Sequence, residues 1–166
     1  YKGYTIQPYS PAAGTGLSSH ELNQPGTYKP VKDTTIVAQF KAIGGQKIND
    51  GVDLPAETFF LAWTTTPWTL PSNTALAVGK NIDYVLVKTF NTYTANPIHV
   101  IMAKDLMSKY FASDNENADP FEFAAGDKKL PYSVIAAFKG TDVEGLKYEQ
   151  LLPYAKPDGD AFRVII

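Results

Sequence analysis

Leu61-Ala62-Trp63-Thr64-Thr65-Thr66-Pro67-Trp68-Thr69-Leu70-Pro71-Ser72-Asn73 is the densest stretch of the chain. Just upstream, residues 58–64 make a near-continuous apolar run, the pattern of a strand buried on both faces. Three threonines end that strand and Pro67 turns it. Proline removes one backbone donor and biases Thr66 away from helical geometry. Strand residues alternate faces, so at least one threonine hydroxyl points into whatever cavity the sheet forms. Backbone groups freed at the strand end need partners. Threonine hydroxyls donate and accept, which suits ribose hydroxyls, an ester carbonyl or an ordered water. Asn73 adds an amide of both polarities. A plainer reading stands beside this one: the hydroxyls cap the turn and do nothing more. No strong general base lies in the stretch, so any chemistry must rest on positioned water and substrate hydroxyls.

Outward from it, the pattern is mostly strand. In residues 34–41, Ile36, Ala38 and Phe40 share one face, with Gln39 and Lys41 on the other. Residues 82–90, 97–102 and 133–139 also read as strands, and 4–9 as a weaker one limited to an edge by Pro8. One helix is expected where Ala103, Leu106, Met107, Tyr110 and Phe111 form an apolar stripe. A short helical turn is expected near 142–146. Residues 44–57 and 113–131 read as loops rich in breakers. The fold class expected is strand-rich α/β: a curled, barrel-like mixed sheet with one or two covering helices.

The chain of 166 residues is the size of one domain and long enough to hold a core. It has no cysteine, which removes disulfides, thiol catalysis and zinc-cysteine sites. Two histidines, His20 and His99, leave little for a His-rich metal site, and no metal is expected. A formal net charge of −2 gives no general electrostatic case for nucleic acid or an anionic membrane. No apolar run approaches the roughly 20 residues of a membrane helix, and nothing points to secretion. Tyr1 at the start and the apolar run 161–166 at the end suggest a piece of a longer chain.

Several signatures are empty. Neither GxGxxG nor GxxxxGK[ST] occurs. Gly14-Thr15-Gly16-Leu17-Ser18-Ser19-His20 has no following helix to complete a phosphate loop and reads as a turn and crossover. Asp114, Glu116, Asp119 and Glu122 lack the glycine and alternation of a calcium loop. His99, among apolar neighbours, reads as structural. No Ser-His-Asp arrangement is supported.

Trp63-Thr64-Thr65-Thr66-Pro67-Trp68-Thr69-Leu70-Pro71-Ser72-Asn73, with Thr74-Ala75-Leu76-Ala77-Val78 and Ile82-Asp83-Tyr84-Val85-Leu86-Val87, closely resembles the threonine-rich region of isoleucyl-tRNA synthetases. That region belongs to the editing domain of these class I aminoacyl-tRNA synthetases. The valyl and leucyl relatives typically have Thr-Thr-Arg-Pro there, so Thr66 and Trp68 favour the isoleucyl member. Phe138-Lys139-Gly140-Thr141-Asp142-Val143-Glu144-Gly145-Leu146-Lys147-Tyr148-Glu149 resembles a second family segment, and residues 2–23 resemble the crossover into the insert.

The resemblance implies one editing domain over 1–166, incomplete at its C-terminus, with 1–30 as the crossover from the catalytic core. It implies hydrolysis of valine misattached to isoleucine tRNA. One methylene in an apolar pocket is worth only ~1–3 kcal/mol, a general figure for which the isoleucyl enzymes are themselves the standard example. Carried over by position, Thr64, Thr65 and Thr66 would be catalytic, holding the terminal adenosine and the ester and placing water. Thr69 and Asn73 would complete the substrate wall, and Trp68 would pack the loop and touch the adenosine through its backbone. The family's Gly-Thr-Gly-Ile-Val-His element and its amine-anchoring aspartate are absent, so the isolated fragment is expected to be inactive. His-x-Gly-His is absent too, and Asp105-Leu106-Met107-Ser108-Lys109 only mimics part of Lys-Met-Ser-Lys-Ser, so ATP is expected to be used by the parent's catalytic domain and no cofactor by this chain. Implied partners are the 3′ end of tRNA(Ile) carrying valine and the rest of the synthetase, with no membrane and a cytoplasmic setting. Alternatives are a non-catalytic insert that holds the acceptor end, the editing domain of a valyl-type enzyme, and an unrelated small-molecule-binding β domain.

Overall fold

Alternation at 36–41 and the apolar run at 58–64 place two neighbouring strands in a mixed sheet of five. The structure is a computed structural model and describes residues 3–4, 6–25, 35–49, 51–118 and 123–166. The chain divides between residues 34 and 35 into two units.

In the first unit, β1 (Tyr9–Ser10) and β2 (Thr15–Gly16) pair as an antiparallel hairpin. Gly14 takes φ 68° in its turn, a conformation that favours glycine. Helix α1 (Ser19–Leu22) starts at a capping box, in which Glu21 N–H donates to Ser18 Oγ at 3.3 Å and Ser18 N–H to Glu21 Oε2 at 2.6 Å. Those hydrogen bonds hold the Glu21 carboxyl below its usual range. The Gly14–His20 stretch is thus a hairpin turn and, contrary to expectation, a helix does follow it, though one of only four residues. Of the expected strand at 4–9, Thr5 lies outside the described residues, and among the others Tyr9 alone joins a ladder.

The second unit holds β3 (Ile36–Lys41), β4 (Lys47–Ile48), β5 (Val52–Asp53), β6 (Thr58–Thr64), β7 (Ala75–Ala77), β8 (Asp83–Phe90), β9 (Pro97–Ala103), β10 (Ser133–Lys139) and β11 (Arg163–Ile165). The main sheet runs β10-β8-β9-β6-β3, antiparallel throughout except for the parallel β6–β9 pair. The three central strands β8, β9 and β6 split their side chains between two cores, whereas the edge strands β10 and β3 add to the first alone. Ala136, Leu86, Ile101, Phe60 and Phe40 form one row across all five strands. They pack with Val143, Leu146, Tyr148 and Val164. Val87, Val100 and Phe59 form the opposite row, with Met102, Phe111 and Tyr132. Leu86 and Val87 are both fully buried, each worth about 1.5–3 kcal/mol by burial alone.

The five long strands lie within two residues of their expected bounds, with Thr34 outside the described residues. Three differences are instructive. The stripe at 103–111 folds as a 3₁₀ helix, Lys104–Lys109, not an α-helix. So short a segment gains little from helix propagation, and packing of Met107, Tyr110 and Phe111 on the second core decides the shape. The expected turn near 142–146 is a 3₁₀ helix at Gly140–Val143. The breaker-rich stretch 44–57 contains the β4–β5 hairpin and buries Ile48 and Leu54 in the first core. The end of the chain is also structured: β11 pairs in parallel with β7 and buries Val164.

Candidate functional site at the open end of β6

Parallel pairing joins Thr58–Phe60 of β6 to His99–Ile101 of β9 and then stops. β3 stays paired to β6 as far as Thr64, opposite Ile36. Residues 61–64 therefore have no β9 partner, and the two strands diverge. The gap is an apolar cleft of about 270 Å³, lined by Ala62, Trp63, Leu76, Val78, Tyr84 and Leu106, among others. The threonine run starts at the next residue.

Thr64 ends β6, and Thr66 takes φ −124°, ψ 64°, outside the helical region that the following proline disfavours. Pro67 then opens a 3₁₀ helix, Pro67–Ser72. Inside the turn the hydroxyls form a chain. Thr66 N–H donates to Thr64 Oγ1 at 3.0 Å, and the two hydroxyls lie 3.2 Å apart. Thr69 Oγ1 and Thr69 N–H both donate to the Thr66 carbonyl, at 2.8 and 3.1 Å. Thr65 is exposed, and its hydroxyl makes no hydrogen bond among the described residues. The structure thus brings Thr64, Thr66 and Thr69 together and leaves Thr65 open.

Asn73 stands apart from that chain. Its N–H closes the 3₁₀ helix on the Leu70 carbonyl at 3.0 Å. Its Nδ2 donates to the Ala75 carbonyl at 2.9 Å, and its Oδ1 accepts from the Tyr148 hydroxyl at 2.6 Å. Burial pushes the Tyr148 phenol up to about 12, against the opposing effect of its bond to Asn73. Trp68 does not pack the loop as expected: it is 71% exposed, and Trp63 is 60% exposed. Both of the chain's tryptophans are thus open to solvent, one on each side of the threonine run in sequence.

Elsewhere the chemistry is thin. His99 contacts the Ala56 carbonyl through Nδ1 at 3.3 Å, and burial above all holds its pKa below the ordinary value. Asp119 and Glu122 lie outside the described residues. Among the described residues, no group of three or more His, Asp or Glu side chains is placed to hold a metal ion. Among the same residues, no helix is long and apolar enough to cross a membrane.

No family model matches the chain. Individual relatives do. The chain is 60% identical over 165 residues to an isoleucine–tRNA ligase of Cytophaga hutchinsonii, aligning 99% of the chain with 14% of that protein. It is 57% identical over 166 residues to one of Bacteroides fragilis, covering 100% of the chain and 14% of that protein. Against one of Clostridium tetani, identity is 44%, over 99% of the chain and 12% of the relative. The chain matches one region of the isoleucine–tRNA ligases. It spans about a seventh of the length of the first two relatives.

The two family-like segments of this ligase region meet in space. The first, 63–78, carries the open threonine turn. The second, 138–149, is mostly support: Val143, Leu146 and Tyr148 are buried in the first core. Sequence reasoning passed over Tyr148, because its partner Asn73 lies 75 residues away. The only signal available was a tyrosine inside a segment shared with the family.

Proposed function

We propose that this chain is the editing region of an isoleucine–tRNA ligase and that, as part of the full-length enzyme rather than alone, it serves to remove valine misattached to isoleucine tRNA. The observation that carries the proposal is the linked hydroxyl chain of Thr64, Thr66 and Thr69, with the unengaged Thr65, beside an apolar cleft at the open end of β6. In this reading the 3′ end of the tRNA and the rest of the synthetase are the partners, in the cytoplasm. The parent ligates isoleucine with ATP bound outside this region. Residues 1–30 are the crossover from its catalytic core.

The chemistry is ester hydrolysis. A water oxygen bonds to the ester carbonyl carbon, the ester C–O bond breaks, and the water proton ends on the ribose oxygen. Threonine hydroxyls fit the task because each can donate to a carbonyl oxygen and accept from water. With no carboxylate or imidazole in the turn, positioning and hydrogen-bond donation carry the rate. Thr65 is the group free to meet the substrate; Thr64, Thr66 and Thr69 hold the turn's shape and the water.

The test is deacylation of valyl-tRNA(Ile) by the full-length synthetase with Thr64, Thr65 and Thr66 all changed to alanine. Hydrolysis should fall at least about 100-fold, the scale of losing preorganised donors, while isoleucine attachment persists. Unchanged hydrolysis would sink the proposal. The exposed Trp63 and Trp68 favour one second reading, a binding insert that stacks bases of the acceptor end without catalysis. That reading wins if the unaltered synthetase does not deacylate valyl-tRNA and changing both indoles weakens tRNA binding.

A further inference from the structure

We propose that Tyr148 is a positioning residue for the threonine turn, acting through Asn73; this rests on the editing reading above. The direction of the hydrogen bonds follows from chemistry. The Ala75 carbonyl can only accept, so the NH₂ of Asn73 must face it. The amide oxygen then faces Tyr148, and the phenol donates at 2.6 Å. Those two bonds leave one amide hydrogen and one oxygen lone pair of Asn73 uncommitted, in a fixed orientation.

The hydroxyl is delivered by a ring that has little room to move. Tyr148 is 1% exposed. Phe40, Phe60 and Phe162 meet it edge-on, with centroids 5.3, 6.5 and 6.0 Å away. Tyr148 N–H is also bonded to the Phe162 carbonyl at 2.9 Å. Phe60 belongs to β6, the strand that delivers the threonines. One buried ring thus touches the strand entering the turn and holds the residue that ends it. The other side-chain hydrogen bonds of residues 64–73 are local, so this is their one long-range tie among the described residues.

The test uses the full-length synthetase and valyl-tRNA(Ile). Tyr148→Phe should slow single-turnover deacylation about tenfold, the scale of one hydrogen bond, with KM within about twofold. Isoleucine attachment should not change. In an Asn73→Ala background the same substitution should cost nothing further, because the effect passes through Asn73. Phe162→Leu loosens the same ring without removing the hydroxyl; it should lower the thermal midpoint and leave the deacylation rate within about twofold. Asn73→Asp keeps an oxygen for Tyr148 but sets a carboxylate against the Ala75 carbonyl, so it should lose as much as Asn73→Ala. A full rate in Tyr148→Phe, a loss that multiplies with Asn73→Ala, or an equal loss in Phe162→Leu would each overturn the proposal. A full rate in Asn73→Asp would overturn the amide orientation. Failure of the editing reading is a separate result, seen as unchanged deacylation when the three threonines are removed.

Discussion

Thr58 and Thr64 stand at opposite ends of β6, and their hydroxyls meet opposite surroundings. Thr58 is 1% exposed, flanked by β9 at His99, and its Oγ1 donates to the Pro55 carbonyl at 2.7 Å. Thr64 lies beyond the last β9 pairing, and its oxygen serves the turn and the neighbouring Thr66 hydroxyl. The same residue type closes one end of the strand and leaves hydrogen-bonding capacity at the other. What separates them is not propensity but where the parallel pairing stops. Between Phe60 and Trp63 the strand passes from 5% to 60% exposure, and chemistry becomes possible where packing ends.

Substitutions at the closed end should show as stability. Phe60→Ala removes a ring from the row that crosses the whole sheet. It should cost about 3–5 kcal/mol in urea unfolding of the 166-residue chain. A loss below about 1 kcal/mol would break the claim that this end is core. Thr58→Val keeps the volume but strands the Pro55 carbonyl, and should cost about 1 kcal/mol in the same assay.

A pH dependence should also map to that end, through His99, which faces Thr58 in the ladder. Burial, with Lys88 nearby, holds its pKa below 6.5 despite the opposing contact with the Ala56 carbonyl. As pH falls below 6.5 the unfolded chain takes the proton first, so stability is full above that value and declines as pH drops toward the folded pKa. His99→Gln should flatten thermal midpoints measured between about pH 7.5 and 5. The smallest effect belongs to the open end: Trp68→Ala, at 71% exposure, should stay within about 0.5 kcal/mol of the parent chain.

The same contrast explains what could be read from the residues alone. β3, β6, β8, β9 and β10 are each six to eight residues long, enough for alternation or an apolar run to declare itself. β4, β5, β7 and β11 are two or three residues long, too short for a pattern to show; β4 and β5 close a tight hairpin, and β7 and β11 exist because distant partners meet, as Val164 does with Leu76. The position of the threonine run and its proline turn followed from local chemistry. The tie from Tyr148 to Asn73 did not, because no local pattern encodes a contact across the chain. The expected packing of Trp68 on the loop is not seen for a related reason: an aromatic beside prolines gives no sign of which way it faces. The helix at 103–111 had the right stripe and the wrong pitch, since tertiary packing, not periodicity, set its length.

The central claim is that the open end of β6 acts on an ester while its closed end holds the fold. It is tested most directly by crossing Thr65→Ala with Thr58→Val, with valyl-tRNA(Ile) deacylation measured in the full-length synthetase and unfolding in this chain. Thr65→Ala should slow deacylation at least about tenfold and leave stability within about 0.5 kcal/mol, whereas Thr58→Val should do the reverse. Deacylation at the full rate in Thr65→Ala, or equal losses of rate and stability in both variants, would contradict the account.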